Sequence, residues 1–329
     1  MNARSRVAAS LFFRPILLLS LVALLCATAA TAAGCGGKDK TDVKSPAGEG
    51  SMDDALALLP GNAIAAGTID GRAFFGSQTF GADLAKVVEK YIPIGPEAGF
   101  QASRDVDRVT FASYSYQGID VAAIVIGRFD SAKIKLVASS QTPTKGGTPL
   151  VASQYSGHDV YTVSNVGFTL LSDTRAIVGT EQGIRRVLER IKDKRVKRDI
   201  APWMISTIET PGAAMALAGD FATQPIPQEL TKQVPMPFMN GLKAVRVVAT
   251  FKDGVQLAGS MTYPDAQAAE TASQSVKQTV NLSKWLAVFG IKVQNVEIKV
   301  DKTDVQVSLG IDDQSLRQLL QQLPAILGQ

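Results

Sequence analysis

His158 is the only histidine in this 329-residue chain. A Ser-His-Asp triad, a histidine dyad or a multi-histidine metal site must use it or is excluded. It sits in Ser156-Gly157-His158-Asp159, which reads as a turn entering a strand. Arg104-Asp105-Val106-Asp107-Arg108 places two carboxylates and two guanidiniums within five residues. That spacing suits a general acid/base pair or a cation site. It equally suits a solvated turn with local ion pairs of little energetic weight. Asp70-Gly71-Arg72 reads as the end of a strand, with Gly71 supplying the bend. Gly-x-Ser-x-Gly, Gly-x-Gly-x-x-Gly and Gly-x-x-x-x-Gly-Lys are missing from the sequence, which argues against the enzyme classes that use them. The expectation is therefore no catalytic residue, no cofactor and no metal.

Arg185 to Arg198 is the sharpest charge feature, with eight basic and two acidic residues. Arg185, Arg186, Arg190, Lys192, Lys194, Arg195, Lys197 and Arg198 are candidate contacts to an anionic surface, either lipid headgroups or an acidic partner. The alternative is an amphipathic helix with a charged outer face and a solvated loop after it.

Both cysteines, Cys26 and Cys35, lie near the N-terminus. Arg4, Arg6 and Arg14 precede an uncharged run from Pro15 to Ala33, rich in leucine in its first half and in alanine and threonine in its second. A basic start, an apolar middle and a small-residue end form an export signal. Ala32-Ala33-Gly34-Cys35 resembles the lipobox of bacterial lipoproteins, with Ala32 where leucine is commonest. The resemblance implies cleavage before Cys35 and acylation of that cysteine with palmitate-type chains. The alternative is an uncleaved anchor, since nineteen residues at helical rise reach roughly 28 Å. Either way the rest of the chain lies outside the cytoplasm, where nucleic acid is a poor target. Gly36 is not the aspartate that retains enteric lipoproteins at the inner membrane, so the resemblance favours the outer membrane, facing the periplasm or the cell surface. The remainder resembles exported Gram-negative lipoproteins with duplicated α+β domains through Leu59-Pro60-Gly61 and its element order; that likeness brings no activity with it.

Residues 36–50 are polar and rich in Gly and Lys. They read as a flexible tether, with too little apolar surface to offset the entropy of ordering. Removing three leader arginines lowers the formal net charge from +4 to +1. The exported part retains no free thiol once Cys35 is acylated, and so no disulfide or thiolate metal site.

The elements that position these residues recur. Pro60-Gly61 and Pro211-Gly212 each open a small-residue strand. A helix carrying Leu84, Val87, Val88 and Tyr91 follows the first, and a weaker one over Gln228–Gln233 the second. Hairpins follow: Arg108–Tyr114 with Val121–Phe129 around Gln117-Gly118, and Val245–Phe251 with Gln256–Tyr263 around Asp253-Gly254. Next come helices near Ser131–Ser139 and Asp265–Phe289. Strands at Val160–Val163, Phe168–Leu171 and Ala176–Val178 precede a helix with Ile184, Val187, Leu188 and Ile191. Val296, Ile298 and Val300 alternate with charges and pair with Val305–Ile311, ahead of a leucine-rich last helix that Asp312-Asp313 caps.

The expected fold is α+β: two tandem copies of an antiparallel sheet with helices on one face, with one continuous sheet as the alternative. The segments are leader 1–34, lipidated cysteine and tether 35–50, and repeats 51–200 and 201–329. The expected function is a lipid-anchored envelope binding or scaffold protein without catalysis. A carrier or chaperone for lipid or hydrophobic segments is the alternative, and an envelope hydrolase the third reading.

Overall fold

The computed structural model describes residues 51–329 apart from 93, 117–119, 141–142, 144–147, 164, 230–236, 252–253, 282–292 and 327–329. The leader, the tether and Cys35 lie outside the described residues. So do the Gln117-Gly118 turn, most of Gln228–Gln233 and the end of the helix expected to reach Phe289.

Twelve strands form one antiparallel sheet. They are β1 Ala65–Asp70, β2 Val106–Ser113, β3 Val121–Gly127, β4 Val151–Tyr155, β5 His158–Val163, β6 Val166–Ser172, β7 Arg175–Thr180, β8 Met215–Asp220, β9 Ala244–Phe251, β10 Val255–Thr262, β11 Val293–Asp301 and β12 Asp304–Ile311. The spatial order is β11-β12-β10-β9-β8-β1-β2-β3-β7-β6-β5-β4. Two separate sheets are not formed, because β1 pairs with β8 in register from Ala65↔Gly219 to Ile69↔Met215. Outward from β1 run β2, β3, β7 and β6; outward from β8 run β9, β10, β12 and β11. Each series is a hairpin, then a strand pair whose later member lies inside. β5 and β4 extend only the first series.

The described helices are α1 Ala55–Leu58, α2 Gly71–Phe75, α3 Gly81–Tyr91, α4 Ala102–Asp105, α5 Ser131–Ser139, α6 Glu181–Lys192, α7 Pro202–Ile208, α8 Ala266–Asn281 and α9 Asp313–Ile326. Aspartates start five of them: Asp54, Asp70, Asp130, Asp265 and Asp312 each accept a first-turn backbone N–H. Such caps satisfy donors that have no partner within the helix. Asp70 thus both ends β1 and opens α2. Thr180 caps α6 through the Gly183 N–H at 3.1 Å.

The helices do not all lie on one face. Ala66, Ala112, Ala122, Ile124, Val160 and Ile177 point into a core closed by α1, α6 and α7. Val125, Tyr161, Phe168 and Ala176 point the other way, under α5 and the turn at Pro96–Ala98. β3 explains the difference. Ala122 through Val125 are all buried, as a strand covered on both sides must be. In the second series the latter face is covered throughout, while on the former α7 reaches only β8 and β9. Met261, Val305 and Val307 lie beneath α8, and Leu309 and Ile311 contact Leu316 of α9. Residues 200–210, read as a boundary, hold α7, which packs across β8, β1 and β9. One residue departs from the alternation read in β11. A bulge between Gln294 and Glu297, with Asn295 at φ 52°, turns Val296 outward to 37% exposure.

Candidate functional site

The acidic-basic motif sits where β1, β2 and β3 reach one end of the sheet. Arg72 grips Asp107 with two bonds of 2.8 and 2.6 Å, and Arg128 reaches the same carboxylate at 3.1 Å. Asp105, which is buried, takes Arg104 at 2.8 and 2.6 Å and the Gln101 N–H at 2.8 Å. Arg108 bridges to Asp70 at 3.2 Å across the β1–β2 pair. Bonding to Arg104 holds the Asp105 carboxyl below the usual carboxylate range, against the opposing effect of its burial. Arg72, followed by Arg128, does the same for Asp107. Carboxylates held ionised by two-pronged guanidiniums make poor proton donors. The arrangement ties strand ends together.

The basic stretch is largely neutralised. Arg185 meets Glu181 at 2.6 Å, Arg186 meets Asp120 at 2.6 Å and Arg195 meets Asp193 at 2.9 Å. Lys197 reaches Asp199 at 3.3 Å, and Arg198 lies between Asp54 at 2.5 Å and Glu209 at 2.8 Å. Asp120, Asp54, Glu181, Asp199 and Glu209 therefore approach from outside the stretch and cancel five of its six net positive charges. Lys192 and Lys194 have no ion-pair partner among the described residues.

Arg190 is not at the surface. It is 5% exposed and donates to Asp199 at 2.8 Å, to the Lys197 carbonyl at 2.7 Å and to the Ala57 carbonyl at 3.2 Å. It binds α1, α6 and the following loop into one unit. A helical projection carries the signal: Arg190 follows Val187 by three residues, beside the buried stripe of Ile184, Val187 and Leu188.

His158 opens β5 opposite Tyr155, after a two-residue turn in which Ser156 and Gly157 have φ of 51° and 82°. Among the described residues neither a serine hydroxyl nor a carboxylate is hydrogen-bonded to it. No group of three or more His, Cys, Asp or Glu there is arranged to hold a metal ion, and no described helix is long and apolar enough to cross a membrane.

The feature that sequence reasoning passed over is a bare sheet face. Val248, Ala258, Ser308 and Glu297 form one row across β9, β10, β12 and β11. Arg246, Ser260, Gln306 and Lys299 form the next. Trp203 of α7 stacks on Arg246 at 4.7 Å and marks where helix cover stops. Beyond it no described helix lies over this face. It mixes small and polar side chains and, with the far part of β9, extends over four strands, roughly 15–20 Å. The polar positions alternating with Leu257, Met261, Val305 and Val307 were its signal in the sequence.

No protein-family model and no curated protein matches the chain. Among solved structures it is similar to the spirochete protein TP0453. Crystal form I of that protein superposes with a TM-score of 0.51 at 12% identity, over 82% of this chain and 97% of that one. Crystal form III gives 0.50 at 12% identity, over 81% and 97%. At this identity the likeness concerns the fold alone.

Proposed function

We propose that the chain is a lipid-anchored binding or scaffold protein of the cell envelope, without catalytic activity. Acylated Cys35 holds it to the membrane, on the periplasmic or outer face of the outer membrane. Residues 36–50 are its tether. The two strand series derive from one α+β unit copied in tandem, over 51–200 and 201–329, and their matching order supports that origin.

One observation carries the binding reading: the bare face of β9, β10, β12 and β11. Its hydroxyls, amide and small side chains suit another protein's surface better than an acyl chain, which would strand those polar groups without water. Rims of Arg246, Lys299 and Glu297 supply charge for orientation. The bound state of Asp105 and Asp107 further supports a structural rather than a proton-transferring role. Lys192 and Lys194 remain for weak contact with anionic lipid beside the tether.

A photo-crosslinking residue at Ala258 in cells making the full chain tests the reading. A discrete protein adduct from position 258, and none from exposed Leu136 on α5, is expected. Equal labelling from both positions, or adducts to lipid alone, would contradict it.

A further inference from the structure

Among the described residues the sheet has two free edges, and they are built differently. β11 carries Glu297, Lys299 and Asp301, with an ion pair between Glu297 and Lys299, and the bulge at Asn295 breaks its register. Charges and bulges are the devices that keep an edge strand from pairing with another chain. β4 has none of them. It reads Val-Ala-Ser-Gln-Tyr, pairs with β5 in unbroken register from Val151↔Thr162 to Tyr155↔His158, and leaves Val151 60% exposed. No described strand lies on its outer side. The tight Ser156-Gly157 turn fixes β4 against β5, so this edge is a rigid template.

We propose that β4 joins β4 of a second copy of this chain, antiparallel, across a two-fold axis through Ser153. The strand is complementary to itself in that register. Full overlap sets Val151 against the partner's Tyr155 and Ala152 against the partner's Gln154, with no charge facing a like charge. An aromatic opposite a β-branched residue is a favourable cross-strand pair. Ser153 then faces its own counterpart. Because only one edge is unguarded, the pairing closes at two copies, with a guarded β11 at each far end. Two unguarded edges would propagate without limit. Five paired residues bury less than the roughly 1,200 Å² of a standard interface, so the pairing is weak in dilute solution and is favoured by crowding on a surface. It does not depend on what the bare face binds.

Disulfide trapping tests this in intact envelopes containing the full chain. Opposed residues of an antiparallel pair have Cα atoms about 4.5–5.5 Å apart, within disulfide reach. Ser153 is exposed, so Ser153→Cys leaves the fold unchanged. On mild oxidation Ser153→Cys should convert the monomer band to one of twice the mass. The parent chain, with Cys26 cleaved off in the leader and Cys35 acylated, should not. Val151→Cys should not either, since the two copies of residue 151 sit four positions out of register. Adding Ala152→Lys, a charge guarding the edge, should abolish the dimer. Absence of a Ser153→Cys dimer would overturn the proposal, as would equal trapping by Val151→Cys. An Ala258 adduct without a Ser153→Cys dimer would sink this inference and leave the binding-face reading standing.

Discussion

Arg190 and Asp199 meet at 2.8 Å, with the guanidinium inside the protein and the carboxylate at its edge. The contact turns a residue from the most basic stretch of the sequence into an internal strut. Through the Ala57 carbonyl it fastens the first helix after the tether to the core, beside Leu56, Leu58 and Leu59.

Arg190→Met should therefore destabilise the chain more than any other neutralisation in residues 185–198. It strands two carbonyls and leaves Asp199 with Lys197 alone. Breaking a buried pair from one side costs roughly 3–5 kcal/mol, and the lower end applies because Asp199 is partly exposed. Arg198→Gln, which removes a pair nearer the surface, should cost about 1 kcal/mol or less. Urea unfolding of the two variants compares them.

Acid should weaken the fold through Asp105, Asp107 and Asp199. All three carboxyls are held below their ordinary range; for Asp199 burial pushes the other way, but Arg190 and Lys197 together outweigh it. They bind protons less readily folded than unfolded, so their stabilisation is complete above the unfolded value of about 4 and is lost as pH falls through the lower folded values. Unfolding free energy measured against pH should fall on that acid limb. Asp105→Asn should flatten the limb and lower stability at neutral pH. An unchanged limb would contradict the assignment.

The seam between the two strand series depends on Gly67. A Cβ there would lie 2.7 Å from the Ala216 carbonyl oxygen of β8 and 2.7 Å from the Phe111 ring. Gly67→Ala should cost about 1–3 kcal/mol, the range for overpacking. At Gly219, at the matching end of the second Pro-Gly segment, the nearest atoms are side-chain carbons of Phe221 and Val245 at 2.9 Å rather than backbone. Gly219→Ala should cost less in the same melting experiment, and a reversed order would count against the seam.

Much of this architecture was readable. Asp253-Gly254 marked its hairpin because Gly254 takes φ 94°, and the alternation in Val305–Ile311 marked a strand with one wet face. Antiparallel α+β character followed from such patterns. The joining of β1 to β8 did not, because a small-residue strand says nothing about which neighbour it takes. Helices on both faces were hinted at only by the unbroken apolar run of β3. β4 went unread because its short, largely polar sequence at the sheet margin buries too little to show a period. Of the candidate residues, the Arg104–Arg108 cluster is ion-paired as its spacing suggested, but Asp105 is buried and Asp107 is held by the distant Arg72 and Arg128 rather than lying in a solvated turn. The pairing of the basic stretch was not legible, since several of its acidic partners come from distant positions such as Asp54 and Asp120.

The central claim is that the bare face of the second strand series is occupied by protein in the envelope. Maleimide labelling of Ala258→Cys, in intact envelopes and after purification of the full chain, tests it most directly, with Leu136→Cys as reference. The account predicts that position 258 is protected in envelopes and becomes reactive on purification, while position 136 reacts equally in both. Full reactivity of Ala258→Cys in intact envelopes would contradict it.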